Sequence, residues 1–186
     1  TQSGESADTR AAMRVARERG AHVVALTNIV GSQATRDSDG VIFTRAGLEI
    51  SVAATKTHTA QIMALALLAL KLGRLKWALT GPGTVELASD LLKLPEIVKG
   101  YLESAAPAQV FEVAGRYFDR PFFLYLGRHV GVPVCFEGAL KLKEISYIPT
   151  EAYPAGEMKH GPTALLAEGP PGVGGATHGH ALAQLP

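Results

Sequence analysis

Glu137, Lys141 and Glu144 recur at offsets of 0, 4 and 7 in the segment Phe136-Glu137-Gly138-Ala139-Leu140-Lys141-Leu142-Lys143-Glu144-Ile145. At ~100° per residue a helix places these three on one face, while Leu140, Lys143 and Tyr147 project elsewhere. A carboxylate beside an ammonium suits proton transfer at a carbon next to a carbonyl. The carboxylate takes and returns the proton, and the cation steadies the developing enediolate. The same pattern also fits an ion pair on a solvated helix face, worth only ~0.3–0.5 kcal/mol. Spacing alone leaves both readings open.

Further segments carry polar chemistry. Tyr153 to Pro162 reads as a rigid polar loop whose His160 is a residue type suited to acid or base work. A loop histidine of this kind is equally a solvated one. At the start, Thr1-Gln2-Ser3-Gly4-Glu5-Ser6 sets three hydroxyls and an amide at the beginning of a helical pattern. Free backbone N–H groups and the positive end of the helix dipole meet there, which favours a phosphate. No lysine is present, so this is not a nucleotide P-loop. Simple capping by Ser and Thr competes with the phosphate reading. Ser51 to Thr59 is a second polar loop running into a helix, able to wall a sugar pocket, with Lys56 and His58 equally readable as surface residues. Cys135 is the single cysteine and reads as a buried apolar residue.

The elements that must position these residues alternate. Ala7 to Arg19 predicts a helix capped by Ser3 or Ser6 and closed by Gly20. His22 to Leu26 and Val41 to Phe43 predict short, mostly apolar strands of a parallel sheet. A long helix follows from about Ala54 to Leu72, ending at Gly73. Leu91 to Phe118 reads as helical with breaks at Pro95, Gly100 and Pro107. The pattern then restarts with a strand at Phe122–Leu126, a Gly127-Arg128 turn and a helix from about Val134 to Tyr147. Strand, glycine-bearing loop and helix in alternation imply right-handed βαβ units. The expectation is an α/β chain of two similar units, 1–92 and 120–186, joined by a helical connector at 93–119. Both units are expected to be incomplete, the first lacking a strand before Thr1. Seven of the twelve residues from Gly169 to His180 are Gly or Pro, which predicts a flexible tail.

Composition narrows the function classes. With 47% hydrophobic and 19% charged residues the chain has material for a core. A net charge of +1 argues against sequence-independent nucleic-acid binding. The longest apolar run, Ile62 to Leu70, is nine residues, against the ~18 of a membrane helix. One cysteine permits neither an internal disulfide nor a cysteine-rich zinc site. These features, with no basic leader before Thr1, predict a cytoplasmic protein.

The segments from Gln2 to Thr9, Thr44 to Gly47, Glu49 to Lys56, Glu137 to Tyr147 and Glu151 to Pro162 occur in this order. Together they resemble the isomerase region of the glutamine–fructose-6-phosphate aminotransferases, which is built from two sugar-isomerase (SIS) domains of the flavodoxin-like three-layer α/β/α type. The resemblance covers roughly residues 1 to 168. It implies conversion of fructose 6-phosphate and glutamine to glucosamine 6-phosphate and glutamate, with no cofactor or metal, by a homodimer whose parent chain also carries a glutaminase domain. Thr1, Gln2, Ser3 and Ser6 would then hold the sugar phosphate, and Val52 and Ala54 would line the sugar. Glu144 would move a proton between C1 and C2, beside Lys141 and supported by Glu137. His160 would assist ring opening in the neighbouring subunit's site. Ala54 stands where the family usually has Ser. The family's imine-forming C-terminal lysine has no counterpart here. A non-catalytic SIS module that senses a phosphosugar is the alternative, though such a module needs only the phosphate loop.

Overall fold

A computed structural model describes residues 1–165 and 172–175. The chain forms two compact units, Thr1–Gly100 and Tyr101–Pro186. In the first, α1 (Ala7–Glu18) follows the opening loop and turns its buried Met13 inward. Gly20 closes it in the left-handed region at φ 78°. There the Gly20 N–H bonds the Arg17 carbonyl at 2.9 Å and the Ala21 N–H bonds the Ala16 carbonyl at 3.0 Å, satisfying carbonyls the helix leaves unpaired. Strand β1 (Val24–Thr27), short helix α2 (Gln33–Arg36) and strand β2 (Gly40–Phe43) follow. The strands pair in parallel from Val24 opposite Gly40 to Thr27 opposite Phe43. Met13, Ala25 and Ala34 form the core of this layer, with Val23 packed against it.

Helix α3 (Lys56–Leu75) runs two residues past the glycine expected to end it. Gly73 serves packing instead, since a Cβ there would lie 2.7 Å from Leu79 Cδ1. The helix stops one turn later, where Trp77 takes φ 59°. The Trp77 N–H then bonds the Arg74 carbonyl at 3.2 Å and the Ala78 N–H bonds that of Gly73 at 2.9 Å, the same terminating pattern that closes α1. Helix α4 (Gly81–Leu92) starts under a Thr80 cap whose hydroxyl accepts from the Gly83 N–H at 3.1 Å. The division between the two units falls inside α5 (Leu94–Glu103), which with α6 (Ala106–Tyr117) lies in the stretch read as a connector. Its prolines do not interrupt them. Pro95 and Pro107 sit in first turns, where no intrahelical N–H is required, and Gly100 continues inside α5.

The second unit is a parallel sheet in the order β4-β3-β5. It comprises β3 (Phe123–Gly127), β4 (Thr150–Pro154) and β5 (Gly172–Gly175), with α7 (Gly131–Ser146) crossing between the first two. The α/β class is therefore as expected. Two details differ. The stretch read as a rigid loop from Tyr153 begins inside β4, with Tyr153 opposite Leu126 and Pro154 opposite Gly127. It then coils into 3₁₀ turns at Ala155–His160 and Pro162–Leu165. Proline is admissible in β4 because among the described residues that strand pairs on one side only. In the expected tail, Gly172–Gly175 pairs with Leu124–Gly127, and the remainder of Gly169–His180 lies outside the described residues.

Small residues let α7 approach the sheet closely. Gly131, Cys135 and Ala139 are its buried residues. Gly138 faces the Tyr125 ring, where a Cβ would meet Cε1 at 3.0 Å. Leu124 is fully buried, and the Thr150 hydroxyl donates to the Ala139 carbonyl at 2.7 Å. Cys135 is buried as expected, and its thiol also donates to the Leu126 carbonyl. Among the described residues no helix is long and apolar enough to cross a membrane.

Gly127 is the tightest of these approaches, since a Cβ there would stand 2.5 Å from the Gly131 carbonyl oxygen. That neighbour is backbone and cannot rotate away. Gly127→Ala in the full-length protein is expected to cost about 1–3 kcal/mol, read from urea midpoints. Gly156→Ala, with open space around it, is expected to stay within about 0.5 kcal/mol.

Candidate functional site

The opening loop sits at the carboxyl end of β1, the end of a parallel sheet where ligands bind. The Gln2 carbonyl accepts from the Asn28 N–H and from the Thr27 hydroxyl, both at 3.1 Å. The Gly4 carbonyl accepts from the Ala34 N–H at 3.0 Å, and Glu5 Oε1 accepts from the Gln33 N–H at 2.8 Å. Gly4 is buried at φ 73°, and a Cβ there would collide with the Ser32 side chain. No other residue fits. The hydroxyls of Thr1 and Ser3 turn inward on their own loop, accepting from the N–H groups of Gly4 and Glu5 at 3.2 Å each. Ser6 occupies the cap position of α1 without a side-chain cap bond. Thr1, Gln2 and Ser3 are half-buried and Ser6 is exposed.

The second polar loop is organised by a residue that spacing did not single out. Glu49 lies ahead of α3 and turns its carboxylate back onto the helix start. Its Oε1 accepts from the Thr55 N–H at 2.9 Å, the Thr55 hydroxyl at 2.7 Å and the Lys56 N–H at 3.1 Å. Its Oε2 accepts from the Thr57 N–H at 3.4 Å and from the Thr57 hydroxyl in a short bond. These bonds, led by the Thr57 and Thr55 hydroxyls, hold the carboxyl down at about 2 against an ordinary 4.5. The Lys56 ammonium donates to the Leu48 carbonyl at 2.6 Å, so it is not simply solvated. Within this loop Val52 is 83% exposed, Ala53 is buried and Ala54 is half-buried. The sequence signal for Glu49 was present: a carboxylate six residues ahead of Thr55, Thr57 and Thr59, which alternate through the start of a helix.

In the second unit, α7 brings Glu137, Lys141 and Glu144 into contact. The Lys141 ammonium lies 3.3 Å from Glu137 Oε1 and 2.6 Å from Glu144 Oε2. The three side chains are only 21%, 28% and 27% exposed for Lys141, Glu137 and Glu144 respectively, so this is not a fully solvated pair. The Glu144 hydrogen bond, more than any other influence, pushes the Lys141 ammonium above its usual range, and Glu137 adds to it. Lys141 is therefore held as a cation. His160 lies exposed at the end of the Ala155–His160 turn. The helix thus gathers three of the four expected reactive side chains.

Comparison with known proteins identifies the family. The SIS domain family model matches residues 1–71 and 123–184. The chain is 48% identical over 173 residues to the glutamine–fructose-6-phosphate aminotransferase (isomerizing) of Thermococcus kodakarensis, covering 93% of this chain and 28% of that protein. It is 48% identical over 179 residues to the protein of the same name from Thermus thermophilus, covering 96% of this chain and 29% of that one. The chain thus spans less than a third of these curated relatives. The solved C-terminal domain of glucosamine-fructose-6-phosphate aminotransferase from Francisella tularensis superposes with a TM-score of 0.94 at 37% identity, over 99% of this chain and 52% of that one.

Glu49 gives the site a distinctive acid response. Its folded value is depressed, so the stability it contributes is complete above about 4.5 and is lost as pH falls toward about 2. Glu49→Gln is expected to flatten the fall of the urea midpoint across that window while leaving its slope above pH 5 unchanged.

Proposed function

The chain belongs to the SIS-domain family, and on that premise we propose that it is the isomerase region of an enzyme that makes glucosamine 6-phosphate and glutamate from fructose 6-phosphate and glutamine. The observation that carries this reading is the Lys141 ammonium clasped between two carboxylates on one partly covered helix face. A module that only recognises a phosphate has no use for such a group.

In this reading Thr1, Gln2, Ser3 and Ser6 hold the sugar phosphate through hydroxyls and backbone N–H groups at the start of α1. Val52 and Ala54 line the sugar. Ammonia from glutamine condenses with the C2 carbonyl and water leaves. Glu144 then takes the proton from C1 and returns it at C2, while the O1 hydroxyl gives up its proton and the nitrogen gains one, which converts the ketose imine into the 2-amino aldose. Lys141 offsets the negative charge that develops between the two carbons. Glu137 holds Lys141, and His160 assists ring opening in the partner's site of a cytoplasmic homodimer. The glutaminase chemistry belongs to another domain of the parent chain. The two SIS repeats are 1–92 and 120–186, joined by 93–119.

Two experiments on the full-length enzyme test the reading. Ser3→Asp sets a negative charge against the phosphate and is expected to raise KM for fructose 6-phosphate strongly, and an unchanged KM removes the phosphate assignment. Glu144→Gln keeps the size of the side chain but cannot accept a proton at neutral pH. It is expected to lower kcat by ~10²–10⁴ with sugar binding nearly intact. The variant should also fail to wash deuterium from C1 of the sugar into solvent, while glutamine hydrolysis persists. Exchange at the parental rate would return the Glu144–Lys141 contact to a surface ion pair.

A further inference from the structure

We infer that Glu49 is a positioning residue for the sugar, because its carboxylate closes Ile50–Ala54 into a pinned ring and so fixes where Val52 and Ala54 stand. The inference rests on the reading above that these two residues line the sugar.

The ring is defined at both ends. Glu49 accepts five hydrogen bonds from Thr55, Lys56 and Thr57, which are the cap and first turn of α3. Lys56 reaches back across the neck to the Leu48 carbonyl at 2.6 Å. Only five residues lie between the carboxylate's own residue and its first partner, so the loop has little slack. Its middle is anchored from below by Ala53, 4% exposed, while Val52 is 83% exposed. A pinned neck and a buried anchor leave Val52 and the neighbouring backbone one arrangement to present.

The clamp has a second consequence. The first N–H groups of α3 are already taken by an internal anion, so this helix start is closed to the phosphate of a ligand. The phosphate is left to the Thr1–Ser6 loop. Division of labour between the two loops then follows from one carboxylate: one loop takes charge, and the other takes only the uncharged part of the sugar. Loss of Glu49 should therefore weaken sugar binding by loosening the ring, with little effect on the proton transfer itself.

The test compares Glu49→Ala and Glu49→Gln with the parent in the full-length protein. The expected result is a ~10-fold or greater rise in KM for fructose 6-phosphate in Glu49→Ala, with kcat within about threefold and KM for glutamine unchanged. Glu49→Gln retains an acceptor oxygen and should fall between the two. It also decides the matter if the alanine variant fails to fold. Amide hydrogen exchange at Ser51–Ala54 should quicken in both variants. Faster exchange with an unchanged KM would make the clamp a fold element only and overturn the inference, leaving the functional reading in place. Unchanged exchange would overturn the clamp itself. A parent protein that neither binds nor turns over fructose 6-phosphate would overturn the functional reading and this inference with it.

Discussion

Asn28 holds the carboxyl end of the first sheet together. Strands of a parallel sheet stop where backbone groups still need partners, and connecting loops must supply them. Asn28 does so with three different groups. Its backbone N–H bonds the Gln2 carbonyl at 3.1 Å. Its side-chain Oδ1 accepts from the Thr44 hydroxyl at 3.0 Å and the Ala46 N–H at 2.9 Å, and its Nδ2 donates to the Gly47 carbonyl at 2.7 Å. Only an amide offers donor and acceptor on adjacent atoms in this way. An Asp would lose the bond to Gly47, and an apolar residue would strand three polar groups at about 1–3 kcal/mol each where they are buried. Because Gly47 leads directly to Leu48 and Glu49, the clamp on α3 inherits its position from this same residue. The loop at Thr1–Ser6 and the loop at Glu49–Thr57 are thus both tied to one residue, the first through its backbone N–H and the second through its side chain.

The two units meet similar demands with different means. In the first, the loop before the helix is fixed by hydroxyl and carbonyl hydrogen bonds, and Gly4 is required by its backbone conformation and by the Ser32 side chain beneath it. In the second, the approach of α7 to β3 is fixed by the absence of side chains at Gly127, Gly131 and Gly138. The small stripe of Gly131, Cys135 and Ala139 faces the sheet. Glu137, Lys141 and Glu144 lie between about a third and a half of a turn round from it. Packing by small residues therefore aims the charged residues, since the helix cannot roll without driving a larger side chain into Tyr125 or Leu124.

Much of this was legible in the residue pattern, and the rest was hidden for specific reasons. α1, β1, β2, β3 and the charged face of α7 followed from apolar periodicity, glycine placement and offsets of 3 and 4. Helix α4 was obscured by Gly81-Pro82-Gly83, which reads as a turn unless Thr80 is recognised as a cap and the proline as a first-turn residue. Gly73 misled in the opposite direction, being required by Leu79 and not by a helix end. β4 is polar and ends in proline, and β5 is almost all glycine. Neither has the composition of a strand, and both exist because β3 offers an edge on each side. At the site, side-chain types and spacing identified the charged face, but the bonds of Glu49 run from a loop to a helix it precedes, a pairing that no period describes.

The arrangement on α7 gives a physical account of why two carboxylates share one ammonium. A lone Glu–Lys pair loses its attraction at the moment the carboxylate takes a proton, and the lysine is then free to swing toward water. Here Lys141 lies 3.3 Å from Glu137 as well as 2.6 Å from Glu144. In the proposed transfer, Glu137 still holds the cation once Glu144 has taken the proton, within reach of the charge that proton removal creates. The contact with Glu144 is the shorter of the two, and its hydrogen bond is the leading influence that raises the Lys141 ammonium above its ordinary range. Two unequal bonds to one cation thus offer the proposed transfer what a single pair cannot: a cation that stays in place after the proton has moved.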